Sequence, residues 1–218
     1  MLRLYYADIS ELTDEADRYP LSEYRLNRLE HLRPQKNRQQ GIGAELLLLH
    51  AVKEVKPETP VPLCLRESAG GKPFFSDSNI HFSLSHSGAV AACAIADREI
   101  GLDIQLQAQV NMRLVRRFFT AGEEAFLERS DDPDRDFTML WALKESYLKA
   151  IGTGLRTPLN QFDMIIGDPI RAKGVQAAFW YHQIGDLHFA LCVPGADIAE
   201  PDLIQEIKMS RDFTESVR

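Results

Sequence analysis

The helix expected over residues 137–151 carries three charged side chains on or beside an apolar face. At about 100° of rotation per residue, that face is formed by Phe137, Leu140, Trp141, Leu148 and Ile151. Lys144 falls in its middle, and Glu145 and Lys149 lie on its border. An ammonium group directed at a core costs free energy unless it is paired, reaches water along its stem or meets an anion. We therefore expect a charged site at this helix.

Asp103 is the second acid that could contribute to such a site. In EIGLDIQ (99–105), Asp103 and Gln105 alternate with apolar residues, as on one face of a strand. Asp103 and Glu145, with Lys149 nearby, could hold a magnesium ion and the phosphates of a substrate. The structural alternative is that Asp103 caps a strand end and Glu145 forms an ordinary surface pair with Lys149. Both interpretations stay open on these residues alone.

Two further segments carry polar groups next to glycine. In SLSHSG (83–88), Ser85 and His86 come at a strand-to-turn junction, where backbone N–H groups and the imidazole could bind phosphate. The alternative is that His86 is a structural hydrogen-bonding residue. In GGKP (70–73), a glycine turn presents Lys72, which could equally be a solvated turn lysine.

Composition excludes several classes of protein. The chain has 218 residues, of which 44% are hydrophobic and 26% charged, so it can bury a core without disulfides. Its net charge of −7 argues against general nucleic-acid binding. The longest apolar run, AVAACAIA (89–96), is too short to span a bilayer, and the start lacks a signal-peptide pattern. The cysteines indicate the cytoplasm and predict neither disulfides nor zinc; they are Cys64, Cys93 and Cys192.

The hydrophobic pattern predicts an α+β fold of two similar α/β lobes, residues 1–103 and 104–218, each with a small, mainly antiparallel sheet and packed helices. In the first lobe we expect a strand, two helices and a three-stranded meander, at residues 1–7, 13–33, 36–55, 80–85, 89–96 and 99–105. In the second we expect two helices, near 110–130 and over 137–151, and then strands at FDMIIG, AAFWYHQI and LHFALCV. The acidic segment after Pro194 is predicted to be a solvated surface segment.

Four motifs follow one another along the chain: GKP (71–73), FSLSHS (82–87), IGLDIQ (100–105) and WALKESYLKAIGTGL (141–155). In this order they resemble the signature of the Sfp-type 4′-phosphopantetheinyl transferases, which reads GKP, FxxSHS, (V/I)G(V/I)D(I/V)E and WxxKExxxKxxGxGL. The resemblance spans roughly residues 36–162. It implies lobes related by a pseudo-two-fold axis, an active site between them and a monomeric protein.

The resemblance also implies a reaction: the phosphopantetheine arm of coenzyme A is transferred to a serine of an apo acyl or peptidyl carrier protein, releasing adenosine 3′,5′-bisphosphate. Asp103 and Glu145 match the family's magnesium ligands, and Glu145 also matches the base for the serine. Lys149 matches the catalytic lysine on the phosphates, and Lys144 is expected to support the same phosphate site. Gln105 departs from the acidic residue of the pattern, and would bind the metal as a neutral ligand or through water.

The same resemblance assigns coenzyme A contacts to the first lobe. Ser85 and His86 match phosphate contacts, and Gly71, Lys72 and Pro73 match the segment beside adenosine. Arg38 is the candidate for the 3′-phosphate, with Lys36 as its alternative. Carrier proteins of fatty-acid, polyketide or nonribosomal peptide synthesis are acidic, so docking needs a basic and apolar patch. The candidates are Arg113, Arg116, Arg117, Phe118 and Phe119, whose alternative is solvated arginines beside core phenylalanines.

Two other functions stay open at this point. A relative without catalytic activity could bind carrier proteins or coenzyme A, and Gln105 is the residue that favours this alternative. A magnesium-dependent phosphohydrolase acting on nucleotides would use the same two carboxylates.

Overall fold

The computed structural model describes residues 1–197, 199–209 and 213. Over this part of the chain the helices are α1 (Glu23–Glu30), α2 (Gln35–Val55), α3 (Met112–Phe118), α4 (Ala121–Glu128) and α5 (Pro133–Ile151). The strands are β1 (Leu2–Asp8), β2 (Arg66–Glu67), β3 (Pro73–Phe74), β4 (His81–Ser87), β5 (Val90–Ala96), β6 (Gly101–Leu106), β7 (Asp163–Ile165), β8 (Arg171–Lys173), β9 (Ala177–Ile184), β10 (Leu187–Pro194) and β11 (Leu203–Glu206). No helix within these residues has the length and hydropathy needed to cross a membrane.

The chain divides into two units. The first joins Met1–Arg98 to the chain from Pro201 onward, and the second is Glu99–Glu200. The boundary predicted after residue 103 falls inside β6, whereas the observed division precedes that strand. The chain after residue 200, which the sequence analysis gave to the second lobe, returns to the first unit because β11 pairs with β1.

In the first unit, helix α2 packs on a four-stranded sheet of order β11-β1-β5-β4. β11 runs parallel to β1, and the other pairs are antiparallel. The leucines of α2 are enclosed in the core together with residues from β5, such as Cys93 and Ile95. Gly43 lets α2 approach the chain after β1, since a Cβ at this position would lie 2.5 Å from Cγ2 of Ile9.

In the second unit, helix α5 packs on a three-stranded antiparallel sheet of order β6-β10-β9. The side chain of Asp132 accepts a hydrogen bond from the backbone N–H of Arg135, and Pro133 occupies the first turn, so the helix has a well-defined start. Its C-cap is Gly152 with φ of 68°, a conformation that glycine adopts without strain. The predicted α+β class, with a helix on a small antiparallel sheet in each half, is confirmed.

The predicted three-stranded meander is wrong. β4 and β5 form a hairpin, but β5 has β1 on its other side, so both of its edges are occupied. β6 therefore cannot pair with β5, and pairs with β10 of the second unit.

Three boundary predictions also differ from the structure. Within 13–33 only α1 is α-helical, because Pro20 lacks the N–H that a continuous helix would need. The helix expected near 110–130 is two helices, since Thr120 caps α4 through a capping box with Glu123. The predicted solvated tail contains β11 and the buried residues Ile207 and Met209; its residues 198, 210–212 and 214–218 lie outside the described part of the chain.

Candidate functional site

Gly101 allows the backbone of β6 to pack closely against the backbone of α5. A Cβ on Gly101 would lie 1.8 Å from the carbonyl oxygen of Ser146 and 2.4 Å from the backbone nitrogen of Ala150. No other residue allows backbone to approach backbone this closely. Because side chains alternate along a strand, Asp103 and Gln105 share the face of Gly101 and are directed at α5.

Asp103 is buried, and each of its carboxylate oxygens has a partner. The ammonium of Lys149 donates to Oδ1 at 2.7 Å, and the amide Nε2 of Gln105 donates to Oδ2 at 2.8 Å. Only 4% of the Asp103 side chain is exposed, against 30% for Lys149. The structure thus brings together three of the residues that the sequence analysis singled out, in a compact charged cluster.

Glu145 lies one helical turn before Lys149 and is half-buried. Burial raises the pKa of its carboxyl, the nearby Asp103 carboxylate raises it further, and Lys149 opposes both. Among the described residues, Lys149 makes its ion pair with Asp103 and not with Glu145. The surface-pair alternative therefore does not hold, and Glu145 is a carboxylate close to a second carboxylate.

Lys144 does not belong to this cluster, so its expected support of a phosphate site is corrected. Its side chain is fully buried, and its Nζ lies 2.8 Å from Oε1 of Glu123. The same ammonium donates to the backbone carbonyls of Leu159 and Phe162, at 2.7 Å each. With an ammonium's three donors thus engaged, Lys144 joins α5 to the start of α4 and to the chain before β7. Burial lowers its pKa, and Glu123 opposes that change.

Sequence reasoning missed Glu123, although a signal was present. Its Oε2 accepts from the backbone N–H of Thr120, and its Oε1 accepts from that of Met164. The spacing of Thr120 and Glu123 is that of a capping box, which could have predicted a helix start at this point. The same carboxylate that caps α4 therefore also neutralises Lys144.

A polar network on β10 and β9 lies beside Gln105. His188 is the cross-strand neighbour of Gln105, and its Nδ1 is 2.8 Å from the hydroxyl of Tyr181. Its Nε2 is 3.4 Å from Oε1 of Gln107. Burial lowers the pKa of His188 and raises that of Tyr181 to about 12. The sequence analysis missed this network; the signal was a single histidine within the apolar strand LHFALCV.

In the first unit, Ser85 and His86 lie on β4, which pairs with β5. Ser85 is buried and His86 is exposed. The strand continues to Ser87, and the turn comes at Gly88, which has φ of 59°. The strand-to-turn junction is therefore later in the chain than the sequence analysis expected.

The GKP segment forms the turn of the β2–β3 hairpin. Gly71 has φ of 87°, and Ser68 and Lys72 exchange hydrogen bonds across the turn. Pro73 opens β3 and pairs with Glu67 in the ladder. The backbone of Lys72 is thus held in a tight hairpin turn.

Arg38 has a structural environment in the first unit. Its Nη1 donates to the carbonyl of Leu29 at 2.6 Å and its Nη2 to that of Asp14 at 3.2 Å, while Nε lies 3.7 Å from the Asp14 carboxylate. These contacts tie α2 to α1 and to the chain before it. The structure therefore favours a tethering role over the 3′-phosphate contact expected for Arg38.

No group of three or more histidine, cysteine or acidic side chains suited to a metal occurs within the described residues. Metal binding in the second unit would thus depend on the pair Asp103 and Glu145, with the Gln105 amide beside them.

Residues 99–192 match the family model of the 4′-phosphopantetheinyl transferase superfamily. This part of the chain is therefore similar to members of that superfamily. The match contains both acids of the pair, as well as Gln105, Lys144 and Lys149.

Curated members of this family are similar to the chain over part of its length. The 4′-phosphopantetheinyl transferase gsp of Aneurinibacillus migulanus is 33% identical over 129 residues, which cover 58% of this chain and 54% of the relative. The 4′-phosphopantetheinyl transferase Sfp of Bacillus subtilis is 37% identical over 97 residues, or 43% of each chain. The chain therefore spans about half the length of these relatives. The resemblance to Sfp-type transferases seen in the sequence is confirmed.

Proposed function

We propose that the protein transfers the 4′-phosphopantetheine group of coenzyme A to a serine of an apo acyl or peptidyl carrier protein. The serine oxygen forms a bond to the phosphorus that carries pantetheine, and the bond from that phosphorus to adenosine 3′,5′-bisphosphate breaks. The observation that carries this proposal is the cluster of Asp103, Glu145 and Lys149, which lies inside the region matched to the superfamily.

The cluster fits magnesium. Two carboxylates and an amide are hard oxygen donors, and magnesium is usually held by one or two carboxylates with substrate phosphates and water. Burial and the Asp103 carboxylate raise the pKa of the Glu145 carboxyl. A cation bound between the two acids would stabilise the ionised form of Glu145. Magnesium bound by Asp103 and Glu145 would neutralise charge on the pyrophosphate as the bond breaks.

Two side chains would act directly on the reactants. Glu145 would take the proton of the serine hydroxyl, directly or through a water. Lys149, with an ammonium on the exposed side of the cluster, would donate to phosphate oxygens.

Binding of coenzyme A in the first unit is proposed from the matching motifs. His86 is exposed on β4, and the backbone of Lys72 is held in the turn of the β2–β3 hairpin. We assign the adenosine side to Gly71, Lys72 and Pro73, and phosphate contacts to Ser85 and His86. Arg38 is left out of this set because its guanidinium holds backbone carbonyls.

Docking of the carrier is assigned to α3. Arg113, Arg116 and Arg117 are exposed there, and the Arg117 guanidinium lies 5.0 Å from the ring centroid of Phe118. Phe119, also expected in this patch, is 5% exposed and belongs to the core. On a chain of net charge −7, a basic helix is a local surface complementary to an acidic carrier. We place the reaction in the cytoplasm, which agrees with three cysteines that form no disulfide.

The test is to incubate the protein with coenzyme A, magnesium and an apo carrier, and to weigh the carrier. We expect a gain of one phosphopantetheine, and none on a carrier whose acceptor serine is replaced by alanine. Hydrolysis of coenzyme A without modification of the carrier would instead identify a phosphohydrolase. Binding of either substrate without a reaction would identify a relative that has lost transfer.

A further inference from the structure

The charged cluster already contains a cation. The Lys149 ammonium lies 2.7 Å from Oδ1 of Asp103 and neutralises it. Asp103 and Glu145 carry two negative charges and Lys149 one positive charge, so the three side chains sum to −1 when all are ionised.

Lys149 and a magnesium ion would compete for the same carboxylate. Magnesium binds carboxylate oxygens at about 2.0–2.1 Å, whereas the ammonium stands 2.7 Å from the same group. The ammonium places a positive charge beside the carboxylate that the metal would bind, so Lys149 opposes magnesium by charge repulsion.

The lysine is the partner that can move. Asp103 is fixed by the packing of β6 on α5 at Gly101, and its side chain is 4% exposed. Lys149 lies in the last turn of α5 with 30% of its side chain exposed, on a stem with several rotatable bonds. A phosphate oxyanion arriving from solvent would meet the ammonium first and make a strong charge-assisted hydrogen bond with it.

We propose that Lys149 is an internal counter-ion of Asp103 that keeps magnesium affinity low until a phosphate-bearing ligand draws the ammonium away. This inference rests on the proposed function, in which the same residues meet magnesium and coenzyme A. It makes the binding of the two ligands cooperative, and by linkage the increase in affinity must be equal in both directions. The free protein then binds neither magnesium nor pyrophosphate as strongly as it binds them together.

The test measures magnesium binding by calorimetry, with the intact protein and without a carrier, so that no transfer occurs. Wild type, Lys149→Met and Lys149→Gln are titrated with magnesium chloride alone and with saturating coenzyme A, and magnesium binding to free coenzyme A is subtracted. Lys149→Gln removes the charge and keeps a hydrogen-bond donor on a shorter side chain, whereas Lys149→Met removes both the charge and the donor. Lys173→Met on β8 is the matched control, because it removes an exposed cation from the same unit.

Without coenzyme A, we expect both neutral variants at position 149 to bind magnesium at least about tenfold more tightly than wild type, because site charge sets the affinity for hard cations. Coenzyme A should raise the magnesium affinity of wild type by about tenfold or more, and that of Lys149→Met by less. Lys173→Met should match wild type.

Equal magnesium affinity of wild type and the two neutral variants would overturn the inference. If Lys149→Met fails to fold, a Lys149→Gln variant with wild-type affinity would overturn it on its own. Failure of transfer is a separate result: a protein that shows the predicted binding pattern but does not modify the carrier contradicts the proposed function and supports the counter-ion role. The converse result is a wild-type protein that modifies the carrier and binds magnesium without coenzyme A as tightly as the neutral variants do. That result supports the proposed function and contradicts the counter-ion role.

Discussion

Each of the two long helices carries a glutamate that is at least half-buried, and the groups around the two carboxylates differ. Glu45 on α2 accepts from the backbone N–H of Ser22 with one oxygen and from Nε of Arg25 with the other. Glu145 on α5 has a second carboxylate, Asp103, among its neighbours, and the nearby lysine is paired with that acid. Burial raises the pKa of both glutamates. A buried acid with complete partners holds a fold together, whereas one left beside another acid is suited to a cation or a proton.

The largest expected effect tests whether buried charge with complete partners is structural. Lys144→Met should lower the free energy of unfolding by about 3–5 kcal/mol, because it leaves Glu123 buried without its counter-charge. Lys53→Met on α2 is the control, since Lys53 also donates to a backbone carbonyl, that of Pro57, but at an exposed position. Its effect should stay within about 0.5 kcal/mol. Urea unfolding measures both, and equal effects would contradict the structural role of Lys144.

The next effect separates the two glutamates. Glu145→Gln should lower turnover by roughly a hundredfold or more, about 2.7 kcal/mol of barrier, with little change in unfolding. Glu45→Gln should leave turnover near normal and lower stability by about 1–3 kcal/mol, because the charge opposite Arg25 is lost. Single-turnover transfer and urea unfolding of both variants give the comparison. Near-normal turnover in a folded Glu145→Gln protein would remove Glu145 from the mechanism.

A smaller effect compares the buried histidines of the two units. Burial lowers the pKa of His50 and of His188, so below about pH 6.5 the unfolded state takes up protons that the folded state does not. Stability is complete above this pH, and each histidine removes up to about 1.4 kcal/mol per pH unit as the pH falls toward its folded pKa. Glu54 opposes the shift at His50, whereas at His188 Arg135 adds to the shift and Asp132 and Asp186 oppose it. Melting between pH 7 and pH 5.5 should thus become less pH-dependent in His188→Gln and in His50→Gln than in wild type, and an unchanged pH dependence in both variants would contradict this expectation.

The smallest effect concerns Gln105, where the chain departs from the motif of the family that it resembles. Gln105→Glu adds a negative charge beside Asp103, and should lower by a few-fold the magnesium concentration needed for half-maximal transfer. Gln105→Ala should retain activity, since Asp103 and Glu145 remain. A magnesium titration of the three forms decides between the outcomes. If the glutamate variant needs more metal, or if alanine abolishes transfer in a folded protein, a site based on two carboxylates is wrong.

The sequence predicted the part of the site that depends on local periodicity. Strand alternation placed Asp103 and Gln105 on one face, and helical spacing placed Lys144 toward the core. It could not predict what Lys144 meets, because Glu123 comes from the cap of another helix and two further partners are backbone carbonyls in irregular chain. Carbonyl direction in such segments is set by tertiary packing and not by residue type.

The same limit explains the error in the fold. Alternation identified β4, β5 and β6 as strands, but it contains no information about which strand lies beside which. The short strands β2, β3 and β8, of two or three residues each, have no periodicity to detect. Pairing of β1 with β11 joins residues near opposite ends of the chain, and local patterns cannot reveal it.

That last pairing also has a consequence for how the protein is made. Arg3 is opposite Leu203, so the first sheet gains its final strand only after nearly all of the chain has been synthesised. The second unit is one continuous segment, and its three strands and main helix are available earlier. During translation we therefore expect Glu99–Glu200 to reach its folded state while the first sheet still exposes the edge of β1. The first unit, whose strand β1 is synthesised before the second unit, would thus be completed after it. Until then, the edge of β1 that later pairs with β11 is where a chaperone or an aggregation contact would act.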